Sequence, residues 1–281
     1  MKKPQLISSV LLFSLLMGTG GMISGQDKDT VRYNEYGVAV ARTPLQVERR
    51  NGVLVFESKD QKSRVWTDIR VQADGAAFFG DTYNPIGNGT SIRRARMAFK
   101  TLFGEHWYGE IDMDISNSEL ELKDAYLKYS FNKHSEGDGL EIQVGNFKEP
   151  FSMETTTTSR YLTFIERANV VATFGPSRHI GIMGSYYKNW FLALGSISFQ
   201  NIGGLEERTF SEDANKDFGV DEGYAYTGRI VLMPGFANPD FGLHFGMAGS
   251  YRTPTTDAEL PGSFRYSTRS LTSINRKKYL D

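Results

Sequence analysis

Hydrophobic and polar side chains alternate with a period of two residues along most of the chain after residue 64. In VWTDIRVQA, residues 65–73, one set of alternate positions holds Val, Thr, Ile and Ala, whereas the other holds Trp, Asp, Arg and Gln. Successive side chains of a β-strand point to opposite faces, so this period predicts strands. The same pattern recurs in IRRARMAFKTLF, WYGEIDMDI, KDAYLKYSF and LEIQVG, and further strand candidates lie at 179–188, 190–201, 223–233, 241–252 and 263–272.

The connections between these strands alternate between long and short. The long ones include 148–178 and the acidic segment 202–222, whereas 104–106 and residue 189 are short. Strands of ~9–11 residues with short turns at one end and long loops at the other are typical of transmembrane barrels. We therefore predict an all-β fold, a transmembrane antiparallel β-barrel that occupies residues 64–281, with about ten strands present.

The N-terminus has the features of an export signal. Lys2 and Lys3 precede the apolar run LISSVLLFSLLMG, and small residues follow it. This order predicts a signal peptide at 1–25, because the apolar run is shorter than the ~20 residues of a membrane-spanning helix. Residues 26–63 are polar, and we interpret them as a periplasmic lead-in that contains a small hairpin.

Composition excludes several classes of function. The chain has no cysteine, so it has neither disulfides nor thiolate sites. Its formal net charge of −1 argues against a general nucleic-acid binder. The four histidines belong to no nucleophile or metal motif. We therefore expect neither an enzyme nor a metal or cofactor site.

The segment SIRRARMAFK, residues 91–100, concentrates positive charge. On a strand, Arg94, Arg96 and Lys100 share one face, and Met97 and Phe99 occupy the other. A charge that faces lipid near the midplane costs ~2–4 kcal/mol, so the cations are expected to face the lumen. Rows of arginine and lysine are typical of anion and phosphate pores.

Two points about this segment stay open in the sequence. Arg93 has the opposite parity, so we expect it near the aqueous rim rather than in the lumen. Arg94 and Arg96 either line an anion path or pair with lumen carboxylates, for which Asp112 and Asp114 on the next strand are candidates.

The 31-residue connection 148–178 is too long for a plain turn, and loops of this length usually have a function. It would be the third outer connection, and in many porins that loop folds into the lumen and constricts it. It carries Lys148, Arg160, Arg167 and Arg178, with the run Thr155–Thr158 as hydroxyl donors. The alternative is a solvated cap over the barrel mouth.

An ordered set of segments resembles the phosphate-selective porin O/P family: RRARMAFK, LKDAYLKY, VGNFKEPFSMETTTTSRYLTFIER, RHIGIMGSYY, and GYAYTGRIVLMPG with LHFGMAGSYR. The resemblance covers residues 65–252. It implies a barrel in the outer membrane of a Gram-negative bacterium, usually sixteen-stranded and homotrimeric, that conducts phosphate or related anions. Its partners would be small anions and outer-membrane lipid, without nucleic acid.

The resemblance also suggests which residues bind the anion. Arg94 and Arg96 match an arginine ladder, and Arg70 on the preceding strand continues it. The full set of candidates is Arg70, Arg94, Arg96, Lys100, Asp124, Lys148 and Arg160.

At the constriction, the resemblance matches Lys148 and Arg160 to the loop that narrows the lumen. Asp124, in LKDAY, is similar to an acid near the bound anion that keeps binding weak enough for release. Together these matches imply passive, anion-selective diffusion of phosphate or polyphosphate.

The chain departs from the family pattern in two ways. It has about ten predicted strands rather than sixteen, and it ends in NRKKYLD rather than in a strand with a terminal Phe. The resemblance therefore implies a C-terminally truncated barrel. The alternatives are a general or non-phosphate-selective porin, or a surface structural or adhesin barrel.

Overall fold

The structure is a computed structural model. It describes residues 32–33, 35–40, 44–80, 87–116, 118–132, 138–202, 223–238, 240–254, 264, 266–269, 271–272, 274 and 278–280. The predicted signal peptide at 1–25 and the acidic connection from residue 203 to 222 lie outside these residues.

The chain divides into two compact units at residue 44. In the first, Arg32–Tyr33 (β1) pairs antiparallel with Ala39–Val40 (β2). The second contains an eleven-stranded antiparallel sheet and a separate pair, Thr268–Arg269 (β14) with Lys278–Leu280 (β15).

The eleven strands are hydrogen-bonded in chain order, so every strand pairs with its sequence neighbours. The prediction of an all-β antiparallel fold is confirmed. Strands β3 and β13 are the two edges, and the sheet is open between them. The strands are β3 (Leu45–Arg50), β4 (Val53–Ser58), β5 (Arg64–Ala76), β6 (Gly89–Phe103), β7 (Trp107–Asp114), β8 (Glu121–Ser130), β9 (Gly139–Lys148), β10 (Arg178–Lys188), β11 (Phe191–Ser198), β12 (Ala225–Leu232) and β13 (Phe245–Arg252).

Strands β5 to β13 correspond to the first nine predicted strands. Two differences lie at the ends of the sheet. The hairpin of β3 and β4 pairs onto β5, so the sheet includes two strands before Arg64. Of the predicted strand 263–272, the described residues form only the two-residue β14.

The two faces of the sheet differ sharply in chemistry. The inner face, as we name it, carries Arg70, Arg96 and Asp112, and its side chains are largely covered. The outer face exposes large apolar side chains, of which Ile69 is 63% and Ile111 50% accessible. Contact with hydrocarbon removes the cost of such exposure, so this arrangement suits a membrane.

Aromatic side chains cluster where the sheet makes its short turns. Trp107 packs on Tyr129 with ring centroids 4.8 Å apart, and Tyr129 packs edge-on against Phe131 at 5.2 Å. Trp190 and Phe191, at the turn between β10 and β11, lie 5.7 Å apart. Aromatic side chains collect at membrane interfaces because they combine an apolar ring with a polar edge. Among the described residues, no helix has both the length and the apolar character to cross a membrane.

The long connection between β9 and β10 contains short helical turns. These are α1 (Met153–Thr156), a single 3-10 turn at Ser159–Tyr161, and α2 (Asn169–Phe174). The Ser152 side chain caps α1 by accepting the Thr155 N–H at 3.0 Å. We name residues 149–177 the long loop.

Candidate functional site

The long loop lies against the inner face of the sheet. Arg70 on β5 donates from Nη1 to Thr158 Oγ1 at 2.9 Å. Arg229 on β12 donates from Nη1 to Thr156 Oγ1 at 3.3 Å. These contacts reach strands far apart in the sheet, so the loop crosses the inner face instead of standing above its rim.

A buried carboxylate anchors the start of this loop. Glu149 is fully buried, and its oxygens contact His179 Nδ1 at 2.7 Å, Thr227 Oγ1 at 2.5 Å and Arg252 Nη2 at 2.5 Å. Burial by itself would raise the pKa of Glu149, but the contacts to His179, Thr227 and Arg252 outweigh burial and lower this pKa to about 2. The loop is therefore held by an ionised group that three strands share.

Between the long loop and strands β5 to β10 lies a cavity of about 390 Å³. Its lining contains two more cations than carboxylates. The cations are Arg70, Arg96, Lys100, Lys148, Arg160 and Arg178, and the carboxylates are Asp68, Glu110, Asp112 and Asp124. Thr156, Thr158, Tyr126 and Tyr161 add hydroxyl groups to the wall.

Some of these cations are neutralised by carboxylates of neighbouring strands. Arg96 Nε donates to Asp114 at 2.9 Å, and its Nη1 lies 3.8 Å from Asp112. Lys100 Nζ lies 3.4 Å from Glu110. For Arg96, the structure contains the pairing with Asp112 and Asp114 that the sequence left open as the alternative to an anion path.

Two further cations of the cavity pair with carboxylates of β8 and β5. Arg178 makes a two-pronged contact with Asp124, from Nε at 3.0 Å and from Nη2 at 2.7 Å. Arg160 pairs with Asp68. Asp124 thus lines the cavity, as do the other candidates Arg70, Arg96, Lys100, Lys148 and Arg160, but its charge is matched by Arg178.

Arg70 and Lys148 differ from the other cavity cations. Within the described residues, the hydrogen bonds of both go to neutral oxygens: Arg70 bonds to Thr158, and Lys148 Nζ donates to the Thr157 carbonyl at 3.3 Å. Arg70 Nε is buried and has no hydrogen-bond partner in the same part of the chain. Among the described residues, neither of these two side chains forms an ion pair with a carboxylate, although Asp112 and Asp124 line the same cavity.

A family model described as "Phosphate-selective porin O and P" matches residues 65–275. The chain belongs to this family. The match confirms the resemblance found in the sequence, and the family consists of outer-membrane β-barrels.

A second comparison is weaker. An uncharacterized protein of Caulobacter vibrioides (strain ATCC 19089 / CIP 103742 / CB 15) is 25% identical to the porin over 168 residues. The match covers 60% of the porin and 32% of that protein, so the chain spans about a third of the relative's length.

Arg93 and Arg94 lie outside the cavity lining, at the far end of β6. Arg94 donates to Gln72 Oε1 at 3.0 Å and pairs with Glu166 of the long loop, while Arg93 Nη1 lies 2.7 Å from the same Glu166. Burial acts to raise the pKa of Glu166, but the charges of Arg94 and Arg93 prevail and lower it. Of the seven candidates, Arg94 is therefore the one that the structure separates from the cavity.

The expectation for Arg93 was wrong. A register shift between β5 and β6 leaves Arg93 without a partner residue, because Gln72 pairs with Arg94 and Ala73 pairs with Ile92. An extra residue of this kind is a β-bulge, and it turns two successive side chains toward one face. Arg93 is thus buried on the inner face, where it also contacts Asp74 at 2.5 Å.

The sequence prediction left out several lining residues. Asp68 and Glu110 lie at alternate strand positions that face the same way as Arg70 and Lys100. The alternation could therefore have identified both as residues of the inner face. Arg178 reaches Asp124 across 54 residues of chain, for which no local signal exists. In the part of the chain that the structure describes, no group of three or more histidines and carboxylates could hold a metal ion.

Proposed function

We propose that this porin passes phosphate, or polyphosphate, by way of the cation-rich cavity under its long loop. The observation that supports this most is that Arg70 and Lys148 line a cavity of about 390 Å³ and form no ion pair with a described carboxylate. A porin of the family needs a place where an anion exchanges water for protein donors, and this cavity offers guanidinium, ammonium and hydroxyl groups together.

The register of β5 and β6 adds to the argument. Arg70 lies directly opposite Arg96. Like charges opposite one another on neighbouring strands destabilise a sheet, so this pair has a cost that an anion between them would offset. Arg96 is held by Asp114, which leaves Arg70 as the guanidinium whose Nε–H has no partner among the described residues and could donate to a phosphate oxygen.

The carboxylates explain how such a site could release its anion. Conduction requires binding that is favourable enough for entry and weak enough for exit. Asp68, Asp112 and Asp124 line the same cavity and repel an anion there. In the proposed pathway, Arg93 and Arg94 draw the anion in at the far end of β6, and Lys148 with Arg160 narrows its passage.

The proposal is tested with the refolded chain in a planar bilayer, by measuring chloride current with and without added phosphate. We expect phosphate to block the chloride current. The double variant Arg70→Gln/Lys148→Gln should raise the phosphate concentration for half block by roughly tenfold or more, since each lost charged hydrogen bond is worth ~1.5–3 kcal/mol.

Lys128→Gln is the matched control. Lys128 is also a cation of the inner face, but it pairs with Glu141 at 3.1 Å and does not line the cavity. The half-block concentration of this variant should equal that of the wild type. Current that phosphate does not block, with equal passage of anions and cations, would contradict the proposal and favour a general porin.

Two further features of the proposal follow from the family alone. We infer a homotrimer in the outer membrane of a Gram-negative bacterium. Chemical cross-linking of the refolded chain in lipid vesicles tests this inference, and a monomer band alone would contradict it.

A further inference from the structure

Asp112 lies on β7 in the wall of the cavity, and one of its carboxylate oxygens lacks a donor. The residue is 5% accessible. Its Oδ1 atom is buried and accepts no hydrogen bond from any described residue. Its Oδ2 atom lies 3.8 Å from Nη1 of Arg96, whose Nε donates to Asp114 at 2.9 Å. Leaving a buried carboxylate oxygen without a hydrogen bond costs free energy, so this atom calls for a functional explanation.

The neighbouring carboxylate adds to this cost. Asp112 pairs directly with Asp124 in the register of β7 and β8, and like charges directly opposite one another destabilise a sheet. Arg178 donates to both oxygens of Asp124, at 3.0 and 2.7 Å. Among the described side chains, Asp112 has no comparable contact. It is therefore the member of the pair that keeps an acceptor available.

Donors and this acceptor occupy neighbouring rows of the inner face. Arg70 is directly opposite Arg96, and its Nε is buried without a partner among the described residues. Two positions from Arg96 along β6, the small Ala98 is directly opposite Asp112. All four residues line the cavity. An anion bound over Ala98 would thus lie between a guanidinium donor and a carboxylate acceptor.

Anions that enter such a cavity differ in whether they carry a proton. Near neutral pH, phosphate keeps at least one P–OH group, which donates a hydrogen bond. Sulfate is fully deprotonated and offers only acceptor oxygens. The two ions are both tetrahedral and similar in size, and at moderately alkaline pH both are mainly dianions. A site with a buried acceptor favours the ligand that brings a donor and rejects the analogue that lacks it.

We propose that Asp112 accepts a hydrogen bond from the P–OH group of phosphate and thereby selects phosphate over sulfate. The inference rests on the proposed function and names a residue that makes the same cavity specific. Arg70 Nε donates to an unprotonated oxygen of the anion, while the P–OH group donates to Asp112 Oδ1. For phosphate, this charge-assisted hydrogen bond offsets the repulsion between the anion and the carboxylate, and for sulfate nothing does.

Asp68 lines the same cavity but lacks these properties. It pairs with Arg160 and lies 3.8 Å from Lys100, so both of its oxygens face a cation. Its side chain is 22% accessible, which allows water to hydrate it. Asp68 therefore repels phosphate and sulfate alike, and it provides the matched control for Asp112.

The test measures block of the chloride current at about pH 8, with phosphate or sulfate added to the refolded chain in a planar bilayer. We expect phosphate to reach half block at a concentration roughly tenfold or more below that of sulfate, since a charge-assisted hydrogen bond replaces a repulsion. Arsenate, which is also tetrahedral and protonated, should block like phosphate.

Asp112→Asn isolates the contact. Asparagine has the same shape without the charge, and its amide N–H group donates to sulfate. The ratio of the two half-block concentrations should fall toward one, mainly because sulfate blocks at a lower concentration. Asp68→Asn should strengthen block by both anions by the same factor and leave the ratio unchanged. If the Asp112 variant fails to fold, the wild-type ratio and the arsenate comparison decide.

The outcomes separate this inference from the proposed function. Equal block of the wild type by phosphate and sulfate would overturn the role of Asp112 and leave the anion pathway intact. An unchanged ratio in Asp112→Asn would overturn it as well, because Asp112 would then act only by repulsion. Block by neither anion would overturn the proposed function, and this inference with it.

Discussion

The two halves of the sheet share the same antiparallel backbone but carry different side chains on both faces. On β5 to β8, the inner face is dense with charge, as in the row Asp68, Arg70 and Arg96, and the outer face carries bulky apolar residues such as Phe99. On β10 to β13, the inner face carries small polar residues such as Ser196, Ser198 and Thr227, and the outer face combines large apolar residues with a row of four paired glycines, Gly184, Gly195, Gly228 and Gly249.

Because of this difference, most charged side chains of the proposed pore lie on one wall, formed by β5 to β8. The long loop extends from one half to the other. Its base is fixed by Glu149 to β10, β12 and β13, and its middle contacts β5 through Thr158. The half with small residues thus provides room and anchorage for the loop, while the charged half provides the groups that an anion meets.

The largest expected effect comes from breaking the link between the halves. Glu149→Gln removes the charge that faces Arg252 and His179 in a fully buried position. Loss of one partner from a buried ion pair costs ~3–5 kcal/mol, so the urea midpoint for unfolding in detergent should fall clearly. Glu154→Gln, which changes another carboxylate of the same loop, is the control and should shift the midpoint little. Equal shifts for both variants would contradict the anchoring role of Glu149.

The contacts that Glu149 makes between the loop and the strands should weaken as the pH falls. The pKa of Glu149 is lowered to about 2 in the folded protein, below the value of ~4.3 expected in an unfolded chain. Its stabilising contribution is therefore complete above that unfolded value and is lost as the pH falls toward 2. Limited proteolysis of the long loop by pepsin, an acid-active protease, should stay slow at pH 4 and accelerate steeply near pH 2. In Glu149→Gln this step should be absent.

A smaller effect is expected within the charged half. Asp68 pairs with Arg160 and lies 3.8 Å from Lys100, so Asp68→Asn frees positive charge in the cavity without removing a donor. Phosphate should then block the chloride current at a concentration several-fold lower. Asp240→Asn, which changes an exposed carboxylate in a short turn outside the cavity lining, should leave the block unchanged. A weaker block in Asp68→Asn would mean that Asp68 positions Arg160 for the anion instead of competing with it.

Strand parity predicted much of the site because it is a local property. Arg96 and Lys100 lie on the inner face as their spacing indicated, and Phe99 lies on the outer face. The position of Arg93 could not be predicted in this way. Its bulge depends on how β6 registers against β5, and that register involves residues about 20 positions away in the chain.

The amino-acid sequence by itself determined the all-β class, the family, the two faces of each strand and the length of the loop. Each of these follows from local alternation, from composition or from ordered motifs. Only the tertiary structure decided which cavity cations form ion pairs, because Arg178 and Asp124 meet across 54 residues and Arg70 meets Thr158 across 88. It also aligned four glycines from separate segments into one row, since strand register is set by all neighbouring pairs together.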